Sequence, residues 1–171
     1  IIMAISDFFV SYWYLALIFL AGIIIFFVQF PKSKTGKDFF DKLLLKIPIL
    51  GNFFKSLYQS RFAENFSTLL SAGITVNEAL EVVADLTGNN VYKYAILDAQ
   101  KDVVKGESIS VVLSRRSDIM SPLLVQMVSV GEKTGRLDSS LENVVRFYKG
   151  ETDTFINSLS SIIEPLLIVG L

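Results

Sequence analysis

The chain has 171 residues with 16 basic and 17 acidic side chains, no cysteine and no histidine. Without those two residue types, disulfides, structural zinc and every histidine-dependent catalytic set are excluded, while carboxylate chemistry and oxygen-bound cations stay open. Every Lys and Arg lies after Pro31 and Asp7 is the only charge before it, so residues 31–161 balance 16 basic against 15 acidic side chains, which is no clustered basic footprint for nucleic acid.

The first element is apolar. Residues 8–30, FFVSYWYLALIFLAGIIIFFVQF, carry no charge. As a helix, a run of this length is about 35 Å long and crosses a hydrocarbon core of about 30 Å. Tyr12, Trp13 and Tyr14 sit near one end, where amphipathic rings settle at the membrane boundary. Lys32, Lys34 and Lys37 follow the other end. A signal peptide would carry its positive charge before the run. The pattern predicts a transmembrane helix over 8–30, with 1–7 extracytoplasmic and the Pro31 side cytoplasmic.

The next 131 residues, 31–161, read as helices joined by short loops. Lys37–Lys46 is a short amphipathic stretch ended near Ile47-Pro48, because the residue before proline disfavours helix. Phe53–Ala72 places Phe62, Phe66, Leu69 and Leu70 on one face, and Gly73 is its stop. Thr75 with Glu78 forms the pattern of a capping box, followed by a helix predicted to bury Ala79, Leu80, Val82, Val83 and Leu86. Asn89 or Asn90 caps a helix reaching Lys105, with Gly106 as punctuation. Ser108 opens a short helix.

Ser121-Pro122 is a cap with proline at the first helical position. That helix carries Leu123, Leu124, Met127, Val128 and Val130, and Gly135 ends it. Asp138 or Ser139 opens a long final helix, with Leu137, Leu141, Val144, Val145 and Tyr148 along one side. Gly150 weakens that helix by about 1 kcal/mol relative to alanine and is a candidate kink. No run has the period-2 pattern of a strand. The expected fold is all-α: a membrane-anchored antiparallel bundle of about six helices. Residues 162–171, IIEPLLIVGL, are too few to span a bilayer and read as the start of a truncated second transmembrane helix, with the leading Ile1-Ile2 suggesting an internal fragment.

Gly131-Glu132-Lys133-Thr134-Gly135 invites comparison with a phosphate-binding loop. The Walker pattern places glycine immediately before the lysine and again five residues earlier, after a strand. Here Glu132 precedes Lys133, Met127 occupies the other position, and the preceding segment is helical. No nucleotide or other cofactor site is expected. The segment is a helix–helix joint, and Glu132 is either a solvated charge or a contact for a partner or neighbouring domain. Asp98 with Asp102, and Glu78, Glu81 and Asp85, fit solvated helix faces better than a cation site, which would need a loop of alternating ligands; no metal is expected. Glu164 and Pro165 stand at the entrance of an apolar run, where a carboxylate is costly at depth and proline frees a carbonyl. They either shape the membrane entry and meet a partner, or lie in the head-group layer.

The runs SPLLVQMVSVGEKTGRLDSSLENVVRFY and IIEPLLIVGL, together with IPILGNFFKSLYQSRFAENFSTLLSAGITVNEAL, resemble the inner-membrane platform proteins of type II secretion and type IV pilus assembly. The resemblance covers essentially the whole chain. It rests on Leu-Leu-Ser-Ala-Gly-Ile, which contains Gly73, on Gly-Glu-x-Thr-Gly-x-Leu, formed by Gly131, Glu132, Thr134, Gly135 and Leu137, and on Glu-Pro-Leu at Glu164 and Pro165. It implies a second span, second cytoplasmic domain and start of a third span in a longer protein of the bacterial inner membrane. It further implies a platform with no enzymatic activity, coupling a cytoplasmic assembly ATPase to pilin or pseudopilin insertion. Other inner-membrane assembly proteins, membrane lipid and further copies of the chain would be partners, and nucleic acid would not. The competing expectation is a membrane-anchored signalling domain, against which the missing phospho-acceptor histidine counts.

Overall fold

The computed structural model describes residues 34–48 and 50–170. The predicted span at 8–30, and residues 1–7 before it, lie outside the described residues. Among the described residues no helix is long and apolar enough to cross a membrane. Two compact units are distinguished, Ile1–Phe40 and Asp41–Leu171; the helix that opens the described chain begins in the first, where Phe39 is exposed.

The described residues form seven helices and no strand, as expected for an all-α chain. They are α1 (Lys34–Lys46), α2 (Leu50–Ser71), α3 (Val76–Leu86), α4 (Asn90–Val104), α5 (Ile109–Ser114), α6 (Pro122–Thr134) and α7 (Leu137–Gly170). Within the second unit α2 and α7 form the central antiparallel pair. Their register is marked by three contacts: the Ser67 hydroxyl donates to the Asp138 carbonyl (3.0 Å), the Ser56 hydroxyl donates to Glu151 (2.8 Å), and Phe53 stacks on Phe155 with ring centroids 4.6 Å apart.

The local signals that start and stop these helices act as their chemistry dictates. Asn89 caps α4 by accepting from the Val91 and Tyr92 amides, and Ser121 caps α6 by accepting from Leu124, with Pro122 at the first helical position. At α3 the Thr75 oxygen accepts from the Glu78 amide, while its hydroxyl donates to the Glu78 carboxylate (2.9 Å). That pair locks two side chains together in place of the reciprocal bond to the cap amide that a capping box makes. Gly73, at φ +81°, ends α2: its amide donates to Leu70 and the Ile74 amide to Leu69. α7 passes through Gly150 without a break.

Phe62, Phe66, Leu80, Tyr92, Ile96, Leu113, Leu124, Leu141 and Val144 fill the core. The expected apolar face of α3 is corrected at two positions, Val82 and Leu86. Ala79, Leu80, Val83 and Ala84 are buried, whereas Val82 is 43% and Leu86 51% exposed. Both faces of this helix carry valine or leucine, so periodicity alone did not separate them. Polar groups inside are satisfied. Tyr92 donates to the Ile119 carbonyl (2.8 Å), Gln59 accepts from the Ser121 amide (2.8 Å), and Ser121 and Tyr148 share a hydrogen bond between their hydroxyls. Burial pushes the Tyr92 phenol far above its ordinary pKa, so it stays a donor.

Tyr92→Phe leaves the Ile119 carbonyl without its partner, and is expected to cost about 1–2 kcal/mol. Phe62→Ala opens a cavity at the centre of α2 and is expected to cost about 3–5 kcal/mol. Urea unfolding followed by circular dichroism separates the two.

Candidate functional site: the α6–α7 joint

All five specified residues of the Gly-Glu-x-Thr-Gly-x-Leu stretch have backbone or side-chain roles at one end of the bundle. Gly135 takes a left-handed backbone, φ +68°, and its amide donates back to the Gly131 carbonyl. The Arg136 amide donates to the same carbonyl at 3.0 Å, which closes α6 within two residues. A residue with a Cβ pays about 1–2 kcal/mol in this conformation. α7 therefore begins at Leu137, with the Arg136 carbonyl accepting from Ser140. Asp138 and Ser139, the expected caps, lie inside its first turn, because Gly135 and Arg136 use up the whole connection.

Gly131 performs a different task. A Cβ at this position would lie 2.7 Å from the Leu137 Cα and 2.8 Å from its Cδ1. Only hydrogen lets the two backbones approach so closely. Thr134 turns its hydroxyl onto the Val130 carbonyl (2.8 Å), inside its own helix.

Glu132 faces the other way. Ser108 is the cap of α5 but makes no capping bond with its own side chain. The Glu132 carboxylate supplies the missing acceptor. It accepts from the Ser108 hydroxyl (2.7 Å), the Ser110 amide (3.1 Å) and the Ile109 amide. Ile109 and Ser110 open α5, where amides have no intrahelical acceptor. A carboxylate in the last turn of α6 opposes that helix's own dipole, but at the start of α5 it is favoured. Partial burial raises the Glu132 pKa, and the bonds from Ser110, Ser108 and Ile109 outweigh it, so the carboxyl ends below its ordinary value.

Sequence reasoning missed this role, because the amides that Glu132 receives belong to a separate helix. It also missed Asp41, a buried carboxylate on α1 that accepts from the Asn90 amide (2.7 Å) at the start of α4. The two residues do the same job at two different helix ends.

Beside the joint lies an open groove of about 740 Å³, with Leu70, Val103, Ile109 and Leu137 in its walls and Glu107 and Asp138 at its edge. Leu70 brings the end of α2 to it. Gly73 closes that same helix, but is not among the groove's lining residues. Glu164 and Pro165 lie in the last stretch of α7, so the structure does not bring them to the joint. Among the described residues, no three carboxylates converge as a metal site would require. Asp98 pairs with Lys101 (2.9 Å), and Asp102 with Lys105 (2.8 Å) and Arg115 (3.1 Å).

A sequence profile of the family described as Type II secretion system (T2SS), protein F, matches residues 62–171, which include the whole joint. The chain is 34% identical over 171 residues to the type IV pilus assembly protein TapC of Aeromonas hydrophila, covering 99% of this chain and 41% of that protein. It is 32% identical over 152 residues to the type IV pilus assembly protein PilC of Myxococcus xanthus, covering 89% and 36%. Type II secretion system protein F of Aeromonas hydrophila is 26% identical over 159 residues, covering 93% and 40%. The chain thus spans about two fifths of the length of these curated relatives.

The joint makes two expected outcomes measurable by urea unfolding. Gly131→Ala forces α6 from α7 and is expected to cost about 1–3 kcal/mol as overpacking, while Gly135→Ala costs about 1–2 kcal/mol through its backbone alone. The second concerns pH. The folded pKa of Glu132 is depressed, so its contribution is full above the unfolded carboxylate value of about 4.3. It is lost as pH falls through the lower folded value. The stability gap between wild type and Glu132→Gln is therefore widest at neutral pH and closes in acid. A gap that does not change with pH would refute the charged cap.

Proposed function

The chain belongs to the type II secretion system protein F family, and on that premise we propose that it is part of an inner-membrane platform for assembling a type IV pilus or a type II secretion pseudopilus. In this reading a cytoplasmic assembly ATPase engages the bundle, and the platform passes its motion to pilins or pseudopilins. The chain contributes shape and stiffness rather than catalysis. Residues 31–161 would lie on the cytoplasmic side, between the span at 8–30 and a second span beginning near 162. Glu164 and Pro165 would shape the entry of that second span.

The observation that supports the reading best is the coupling of the joint to α7. Gly131 sets α6 directly on the first turn of α7, and Glu132 ties the same turn of α6 to α5. From that joint α7 continues as one helix of 34 residues, Leu137–Gly170, about 51 Å at 1.5 Å per residue. A displacement at the joint is therefore carried along a single rigid element towards residues 162–170. Lys133 and Arg136 are exposed on the joint and are free to meet a partner, whereas Glu132 is held by α5. Glu132 thus acts on a partner through the shape of the bundle.

The test is co-purification of the protein with an assembly ATPase of the pilus or secretion machinery. Lys133→Glu combined with Arg136→Glu is expected to weaken retention about tenfold, about 1.4 kcal/mol, with little loss of thermal stability. Glu132→Ala is expected to lose stability and retention together. Unchanged retention in both variants would remove the joint from the ATPase contact.

A further inference from the structure

The two ends of the bundle differ in surface chemistry. The end opposite the joint is the corner where α1 meets α2, together with the stretch of α7 that lies beside it. At this corner the Gly51 amide donates to the Ile47 carbonyl (2.7 Å), and a Cβ on Gly51 would lie 2.6 Å from the Leu45 carbonyl oxygen. The end of α1 is thus folded tightly onto the start of α2.

The register of α2 and α7 brings distant residues here. Phe53 stacks on Phe155, and the two helices run antiparallel. Leu50, one turn before Phe53, therefore lies at the level of Leu159, one turn after Phe155. Leu43, Leu50, Ile156 and Leu159 are all exposed, between 39% and 49%. Large apolar side chains gathered at one end of a bundle mark a contact surface.

Charge distinguishes the occupant. Residues 42–50, KLLLKIPIL, carry Lys42 and Lys46, both exposed, and no acid. Residues 154–161, TFINSLSS, carry no charge at all. The acids of α7 that flank this stretch are Glu151, which accepts from Ser56, Asp153, six residues before Leu159, and Glu164, five residues after it. Exposed leucines framed by lysines on a helical corner are the pattern of a surface lying at the head-group boundary of an anionic bilayer. Continuity points the same way: α7 runs on from this corner as helix to Gly170, through residues 162–170, which are apolar apart from Glu164.

We propose that the α1–α2 corner and the adjoining turn of α7, presenting Leu43, Leu50, Ile156 and Leu159 with Lys42 and Lys46, rest in the head-group layer of an anionic membrane. The bundle is then held by lipid at its base as well as by its spans, with the α6–α7 joint at the far end and in water. This inference rests on the membrane-platform reading above. It adds the lipid class and the residues that meet it.

The chain has no cysteine, so single labels report cleanly. Nitroxides are placed at Leu43→Cys, Leu50→Cys and Leu159→Cys, with Ile24→Cys as a label inside the predicted span and Lys133→Cys at the joint. The full chain is reconstituted in phosphatidylcholine bilayers with and without an equal part of phosphatidylglycerol. Accessibility is read with oxygen, which concentrates in lipid, and a water-soluble nickel chelate.

The expected result is a several-fold higher oxygen-to-nickel ratio at 43, 50 and 159 than at 133. That ratio should rise with phosphatidylglycerol and lose the rise in Lys42→Glu/Lys46→Glu. Labels at 43, 50 and 159 as wet as the one at 133, with 24 in lipid, would overturn the inference and leave the span standing. Wet labels at all five positions would overturn both. Low access to both reagents at 43 and 50 would mean that protein, such as a second copy of the chain, covers the corner, and would also overturn it.

Discussion

The packing of this bundle depends on two adjacent residues that face in opposite directions. Gly131 has no side chain, and so α6 and α7 meet backbone to backbone. Glu132 has a long charged one, and so α6 reaches the first turn of α5. Neither substitution for the other would work. A carboxylate at 131 would push α7 away, and a glycine at 132 would leave two amides of α5 without their acceptor. The short connection through Gly135 and Arg136 then follows, because two helices this close need no longer link.

Helix ends are where this fold concentrates its specificity. A short helix gains little from propensity and depends on what happens at its termini. α5 has six residues and a serine cap that makes no capping bond. It relies on a carboxylate from elsewhere in the chain. Asp41 does the same for α4, beside Asn89. Both acids are bound by amides rather than by cations, so their attachment does not depend on a surface ion pair that salt would screen. The exposed pairs of Asp98 and Asp102 with their lysines are of the weaker kind.

Much of this was legible in the sequence, because its signals are local. Ser121-Pro122, Asn89, Thr75 and Gly73 each act on residues within one turn, and each marks the boundary it was expected to mark. The resemblance carried the family. Packing partners were less legible. Gly131 was visible only as a glycine beside a charge, since the Leu137 backbone it admits lies across a turn. Glu132 and Asp41 receive amides 22 and 49 residues away, and no spacing rule reaches that far. The burial of α3 was misjudged for another reason: Val82 and Leu86 are as apolar as Val83, and the positions of α2 and α4 decide which face is covered.

The central pair of helices joins chain segments that are far apart in sequence. Ser67 meets Asp138 across 71 positions and Ser56 meets Glu151 across 95. Closing such loops costs chain entropy before any contact repays it. α2 is made well before α7. During synthesis the apolar face of α2 around Phe62 and Phe66 must therefore wait, uncovered by its main partner, until α7 has emerged. An order of events is thus built into the topology, in which α3 to α6 can pair locally first and α7 closes the bundle. A chain interrupted before Phe155 would lose that closing element, and with it the stack on Phe53 that sets the register.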